Sequence, residues 1–174
     1  MAVEGYMNLI ASATLDWGIG FENELLFRVS KDMVRFRKMT TGNVVVMGRN
    51  TFLSMPNQKP LPNRVNIVLS ADRSFCPDGV ILARSLEELL EILKAYDSER
   101  VFIIGGAAIY ALLLPYCDKL YITRFYKTKK ADRFLPDLDK SSDWHLQKRS
   151  TLHEQDGLYY TFDLYTKEGT TKCQ

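Results

Sequence analysis

The 174-residue chain predicts a single α/β domain built on a mostly parallel, twisted sheet of about eight strands. Two features of the sequence carry that expectation. Short apolar runs (MNLIASAT, VVVM, RVNIVL, VFII) alternate with segments patterned for helices, and alternation of this kind builds parallel sheets with helices on their faces. From residue 144 onward the pattern changes to two longer runs around Asp156-Gly157, which predicts an antiparallel hairpin at the sheet edge. About four flanking helices complete the class.

Residues 1–6 read as an extension ahead of the fold, and 7–14 as a buried strand. The stretch 16–23, DWGIGFEN, holds two glycines between polar ends and is expected to be a mobile loop. Ser30 is positioned as an N-cap for a helix over 31–39. Asp32, Phe36 and Met39 share one stripe of that helix, flanked by Met33, while Lys31, Arg35 and Lys38 fall opposite. Residues 44–47 form the next strand, and Gly48-Arg49-Asn50-Thr51 opens a short helix ending near Ser54. Three prolines within 55–63 exclude regular structure there.

Residues 64–69 and 80–83 are strands. Ser85 with Glu88 makes a capping-box pair for a helix whose Leu86, Leu89, Leu90 and Leu93 point inward. A central strand over 101–104 runs into Gly105-Gly106 and a helix over 107–114 that Pro115 ends. Residues 119–125 form a further strand, and 132–139 a loop. The hairpin strands span 144–152 and 158–166, and 168–174 is a tail expected to fray.

Charge and cysteine content exclude several classes. With 23 Lys+Arg against 21 Asp+Glu, the chain is too balanced for nucleic acid or an anionic membrane to be its main partner. Cys76, Cys117 and Cys173 are far apart and form no CxxC, which argues against a disulfide framework or a zinc site and fits a reducing cytoplasm. No secretory leader opens the sequence, and its most apolar segment, 101–114, is too short to span a bilayer. The two histidines, His145 and His153, lie in the hairpin without metal-ligand spacing, so no metal is expected.

What remains is a carboxylate and a set of strand-end turns. Asp32 sits on the face of its helix that should turn inward, where a carboxylate needs a partner. From position alone, it equally suits the helix N-terminus as a favourable charge. The turns 48–51, 70–73 and 105–107 stand at the carboxyl ends of strands, where open α/β sheets bind ligands. Two of them precede helices and two carry arginines, so a ligand with several phosphates fits, although no GxGxxG is present. Each glycine taken singly is also explained by a tight turn.

Taken together, LIASATLDWGIGFEN, Asp32 with Phe36 a turn later, VVMGRNTF, PLPNRVNIVLS, VFIIGGAAIY and LYIT resemble the dihydrofolate reductases. The resemblance runs over residues 7–167 with these pieces in order. It implies reduction of 7,8-dihydrofolate to tetrahydrofolate with hydride from NADPH, in support of one-carbon metabolism. It also implies 2,4-diaminopyrimidine or pteridine antifolates as inhibitors; with no symmetry evidence in the sequence, a monomer is the default, in the cytoplasm that the cysteine usage fits. Asp32 then corresponds to the ionisable group of the pterin pocket, accepting hydrogen bonds from ring N3 and the 2-amino group. Its negative charge favours protonation at N5, with water as the proton donor.

The resemblance further implies Ile10, Phe36 and Ile104 around the pterin, Thr123 as the hydroxyl bracing the acid, and Met33, Met55 and Leu61 beside the aminobenzoyl ring. Arg64 would pair with the glutamate α-carboxylate. Ser12 and Ile19 correspond to backbone contacts with the nicotinamide amide. Gly48, Arg49, Asn50, Thr51, Gly105, Gly106, Ala107 and Tyr110 correspond to the dinucleotide cradle. Arg49 and Ser70, with Arg73, would hold the 2′-phosphate, within an adenosine-binding subdomain over about 43–95. The 16–23 loop corresponds to a lid over the nicotinamide.

The sequence departs from the family at three places. Leu26-Phe27 replaces the usual Pro-Trp, so Phe27 keeps an apolar wall but loses the indole N–H. Ala107 replaces the third of three glycines, and Ala108 stands where some members place an arginine near the 2′-phosphate. Two rivals remain on the sequence. A pyrimidinone reductase of riboflavin synthesis has this fold but no use for Asp32 with Phe36 and Arg64. A non-catalytic nucleotide-binding module has no use for a carboxylate on an apolar face.

Overall fold

The computed structural model describes residues 6–167; the expected extension over 1–5, the tail over 168–174 and Cys173 lie outside the described residues. In chain order the elements are β1 (Met7–Ala13), β2 (Gly18–Phe21), β3 (Glu24–Leu25), α1 (Ser30–Thr40), β4 (Val44–Gly48), α2 (Arg49–Leu53), β5 (Val65–Leu69) and β6 (Ile81–Ala83). They continue as α3 (Leu86–Leu93), β7 (Val101–Gly105), α4 (Ala107–Leu113), β8 (Cys117–Phe125), β9 (Arg133–Phe134), β10 (Trp144–Arg149), β11 (His153–Gln155) and β12 (Leu158–Lys167).

The main sheet runs β10-β12-β8-β1-β7-β4-β5-β6, with β11 also paired to β12. It is parallel from β8 through to β6. β12 joins β8 antiparallel, and β10 and β11 join β12 antiparallel. The expected α/β architecture is therefore the one observed. No helix among the described residues is long and apolar enough to cross a membrane.

Strand alternation divides the core between the two sheet faces. Leu9, Val44, Val46 and Ile103 join the cluster that also contains Leu89 and Leu93 of α3 and Leu113 of α4. Ile10, Val45, Met47, Phe102 and Ile104 join the other cluster, which Phe36 and Met39 of α1 and Phe52 of α2 complete. The residues expected around the pterin thus belong to the α1 face. The parallel strands β1, β4, β5 and β7 end on one side, placing Ser12, Gly48, Ser70 and Gly105 along one edge.

Several local expectations are corrected. Ser30 is not the N-cap: Val29 occupies that position without a side-chain bond, and the Ser30 N–H donates to Gln155 Oε1 at 2.9 Å. The 16–23 loop contains β2, which pairs with β3 and with β9 from the 132–139 loop to form a small three-stranded sheet. Neither loop showed strand periodicity, since glycine and charge dominate both. The first hairpin strand is broken at 150–152 into β10 and β11, and β10 carries a register shift at 146–148. Its tight turn is as expected, with positive φ at Asp156 and Gly157. Ser85 Oγ caps Glu88 N–H at 3.1 Å, but the Glu88 carboxylate returns to the Arg84 N–H rather than to Ser85.

Two ion pairs, each with one buried and one partly exposed partner, tie the β8–β12 region to its surroundings. Arg124 of β8 donates Nε to the Thr14 carbonyl (2.9 Å), Nη2 to that of Leu15 (2.8 Å) and Nη1 to Asp139 (3.1 Å). Its guanidinium lies 3.7 Å from the Trp17 ring centroid, so one side chain holds the base of the 16–23 segment. Asp163 of β12, fully buried, accepts from Arg149 Nε (3.0 Å) and Nη2 (2.8 Å) and from Thr161 Oγ1 (2.8 Å).

Removing one partner of such a pair strands the other charge in a dry interior. Arg149→Met is expected to lower the unfolding free energy by about 3 kcal/mol, measured by urea denaturation. A variant as stable as the wild type would show that Asp163 is satisfied without Arg149.

Candidate active site

The site is assembled where α1 crosses the sheet face beside β8. Helical spacing turns Asp32 inward onto Thr123, which stands near the carboxyl end of β8 and opposite Ser12 of β1. Thr123 Oγ1 donates to Asp32 Oδ1 at 2.6 Å, which orients the carboxylate, and among the described residues its second oxygen accepts no hydrogen bond. Thr123 is itself buried. The Asp32 carboxyl is raised above its ordinary value of 3.8 because burial disfavours the charge. The Thr123 hydrogen bond and then the Arg35 charge oppose that rise.

Around this acid, Ile10, Phe36, Met55, Leu61 and Ile104 pack in one apolar cluster, as expected. Met33 is 44% exposed and lies outside that cluster. Phe27 belongs to a different cluster with Val29, Phe125 and Tyr160, its ring 5.3 Å from that of Phe125. Arg64 donates Nε to the Pro62 carbonyl (2.9 Å) and Nη1 to Thr40 Oγ1 at the end of α1 (3.1 Å). Arg37 lies near enough for its charge to add to burial in lowering the Arg64 guanidinium. This second cation was not singled out in the sequence, where only Lys31, Arg35 and Lys38 were assigned to the outer face of α1.

On the other side of the central strands, Gly105 and Gly106 are joined by a cis peptide. Gly105 has φ +118°, and a Cβ there would sit 3.2 Å from the Tyr110 ring, so only glycine suits both backbone and packing. Tyr110 donates its hydroxyl to the Ile10 carbonyl at 2.8 Å, linking α4 to β1 beneath the cleft, and burial raises its phenol well above the ordinary range. A Cβ at Gly48 would meet Ile109 at 2.8 Å, and one at Gly106 would meet Thr51 Oγ1 at 3.5 Å. Backbone from β4–α2 and β7–α4 therefore lines a narrow cradle. Its helices start at glycines that supply no side-chain cap, an arrangement compatible with an anionic group at their first N–H groups.

The cationic end of this cradle is brought together by the segment after β5. Arg49 approaches Asp72 at 3.7 Å and lies 5.6 Å from the Phe75 ring. Ser70 is buried and its Oγ accepts the Asp72 N–H at 3.3 Å, while Arg73 and Asn50 are exposed. Arg84, missed in the sequence, holds the segment: it donates to the carbonyls of Asp72 (2.6 Å), Phe75 (3.0 Å) and Ser70 (3.3 Å). An arginine just after β6 was the only available sign of it. Ile19, expected for its backbone, buries its side chain in the main core.

The raised carboxyl has a consequence for stability. The folded state binds the Asp32 proton more tightly than the unfolded chain does. Stability from this group is therefore greatest below 3.8 and falls as pH rises from 3.8 through the folded value. Asp32→Asn should consequently melt above the wild type at pH 7, with the margin narrowing as pH is lowered toward 4. Thermal melts at both pH values check this, and a variant that melts lower at neutral pH contradicts it.

A family model described as dihydrofolate reductase matches residues 6–167. The dihydrofolate reductase of Bacillus subtilis is 36% identical over 157 residues, covering 89% of this chain and 90% of that protein. That of Pneumocystis carinii is 32% identical over 199 residues, covering 93% and 97% respectively. Among solved structures, dihydrofolate reductase from Enterococcus faecalis, complexed with NADP(H) and RAB-propyl, superposes with a TM-score of 0.81 at 31% identity. That superposition covers 95% of this chain and 98% of the other. With the carboxylate, the apolar pocket and the glycine cradle in this arrangement, the chain belongs to the dihydrofolate reductase family.

Proposed function

We propose that the chain reduces 7,8-dihydrofolate to 5,6,7,8-tetrahydrofolate with NADPH, and that Asp32 is the group on which the reaction turns. The observation that carries this is the Asp32 carboxylate, largely shielded beside an apolar cluster, with one oxygen bonded to Thr123 and the other without a hydrogen bond among the described residues. A flat ring with two adjacent N–H donors suits such an oxygen. Ile10, Phe36 and Ile104 would cover its faces, Met55 and Leu61 would line the neighbouring wall with Met33 at the rim, and Arg64 would receive the glutamate carboxylate. The same surface would accept 2,4-diaminopyrimidine or pteridine antifolates.

When bound, NADPH supplies the hydride. Gly48, Arg49, Asn50, Thr51, Gly105, Gly106 and Ala107 would hold its diphosphate, with Tyr110 fixing the floor. Arg49, Ser70 and Arg73 would take the 2′-phosphate in a subdomain over about 43–95, with Arg84 keeping that segment in place. Ser12 and Ile19 would offer backbone groups to the nicotinamide amide, and the segment 16–23 would act as the lid. The protein's own contribution is to orient the ring and exclude water. A negative charge held at Asp32 raises the proton affinity of pterin N5, so that a water-borne proton reaches N5 and carbon 6 becomes the better acceptor. Phe27 would keep water ordered only by shape, since it has no N–H. A cytoplasmic monomer without nucleic-acid or membrane partners is the setting we take for this enzyme, supported by its balanced charge.

The test is NADPH oxidation in the presence of dihydrofolate across acidic to neutral pH. The wild type should be competent, and Asp32→Asn should lose about 100-fold or more at pH 7. Part of the lost rate should return in acid as solvent protonates the substrate. Equal activity of the two proteins would remove Asp32 from the mechanism.

A further inference from the structure

Arg35 follows Asp32 by three residues, and helical arithmetic assigned it to the solvent face with Lys31 and Lys38. The structure places it inside. Its guanidinium carbon lies 4.4 Å from the Phe162 ring centroid and 5.8 Å from that of Tyr121. Phe162 pairs with Thr123 across the β8–β12 ladder, and Tyr121 stands two residues before Thr123, so all three share one sheet face. Thr123 in turn braces Asp32. One patch of sheet therefore carries both the brace of the carboxylate and the platform of the cation.

Among the described residues, Arg35 Nη1 is the one buried side-chain nitrogen or oxygen without a hydrogen-bond partner. An apolar side chain would cover the same rings without that cost, so packing does not account for a cation here. Burial lowers the guanidinium from its ordinary value, and the charges of Asp32, Tyr121 and Asp163 oppose the change, Asp32 foremost. An arginine nonetheless stays protonated.

We propose that Arg35 is a positioning residue for the reaction, its fixed positive charge one helical turn from Asp32 keeping that carboxylate anionic while the pocket is dry. This rests on Asp32 being the reaction's carboxylate. The other groups facing the pair do not supply such a charge. Tyr110 of α4 and Tyr160 of β12 are held neutral, in part by Asp32 itself. Asp163 of β12 is matched by Arg149. His153 of β11 stacks on Tyr160 and lies tilted against Phe162, and its Nδ1 is 3.3 Å from Lys31 Nζ, at the start of α1. The charge that opposes the rise of Asp32 is that of Arg35.

The experiment is a carbon-13 NMR titration of the Asp32 carboxyl in the full chain, assigned by its absence in Asp32→Asn. All proteins carry His153→Gln so that the imidazole does not contribute. Arg35→Met should raise the Asp32 midpoint by about one pH unit, tenfold in the ionisation constant, whereas Arg35→Lys should leave it near the wild-type value. The acid limb of the kcat/KM profile should move with the midpoint. A purely structural Arg35 would lower the melting temperature without moving the titration. A folded Arg35→Met protein with the wild-type midpoint therefore overturns the proposal, as does a Lys variant shifted as far as Met. If Arg35→Met does not fold, Arg35→Gln is judged by the same outcomes. Because the titration needs no turnover, failure here is distinct from finding that Asp32→Asn remains fully active.

Discussion

The hydrogen bond from Thr123 to Asp32 is the interaction on which the rest of the site depends. It joins the first turn of α1 to the end of β8, and so couples the helix that covers the pocket to the strand that forms its floor. Three separate influences meet on the carboxylate: burial raises its proton affinity, while the hydroxyl and the Arg35 charge resist. The balance leaves an acid that is costly to bury and available on one oxygen. That combination is unfavourable for stability and useful for polarising a bound ring.

The two halves of the cleft are built by different means. On the side proposed for the substrate, side chains do the work: an apolar cluster from β1, α1, β7 and the 55–61 segment lies beside one charge. On the side proposed for the cofactor, backbone does it, because Gly48 and Gly105 leave room only for their neighbours Ile109 and Tyr110. The Tyr110 hydroxyl bond to the Ile10 carbonyl crosses between the halves, so the position of the cradle is referred to β1. Arg124 and Arg84 play comparable parts at the periphery, each holding a loop by its carbonyls rather than by its side chains.

Much of this was legible in the sequence, because the relevant signals are local. Short continuous apolar runs alternating with helical segments located the parallel sheet, and Asp156-Gly157 located the edge hairpin. Asp32 stood out because a carboxylate on an apolar stripe conflicts with its neighbours. Features set by distant partners were not legible. Arg35 lies on the inner side because Phe162 and Tyr121, far along the chain, offer it ring faces. Ser30 is the first residue of the helix, its N–H satisfied by the distant Gln155, and β2 becomes a strand because β9 reaches it from residue 133 onward. Met33, which the family resemblance set beside the aminobenzoyl ring, is 44% exposed because the helix turns that side toward solvent.

The central claim is that a bound pterin ring meets Asp32 while Asp32 stays held by Thr123. A crystal structure of the chain with folate and NADP⁺ measures this directly. The account predicts ring N3 and the 2-amino group within about 3 Å of the carboxylate. Oδ1 should still accept from Thr123, and the nicotinamide ribose and diphosphate should run past Gly105-Gly106. A pterin bound away from Asp32, or a carboxylate that has left Thr123 to reach it, would contradict the account.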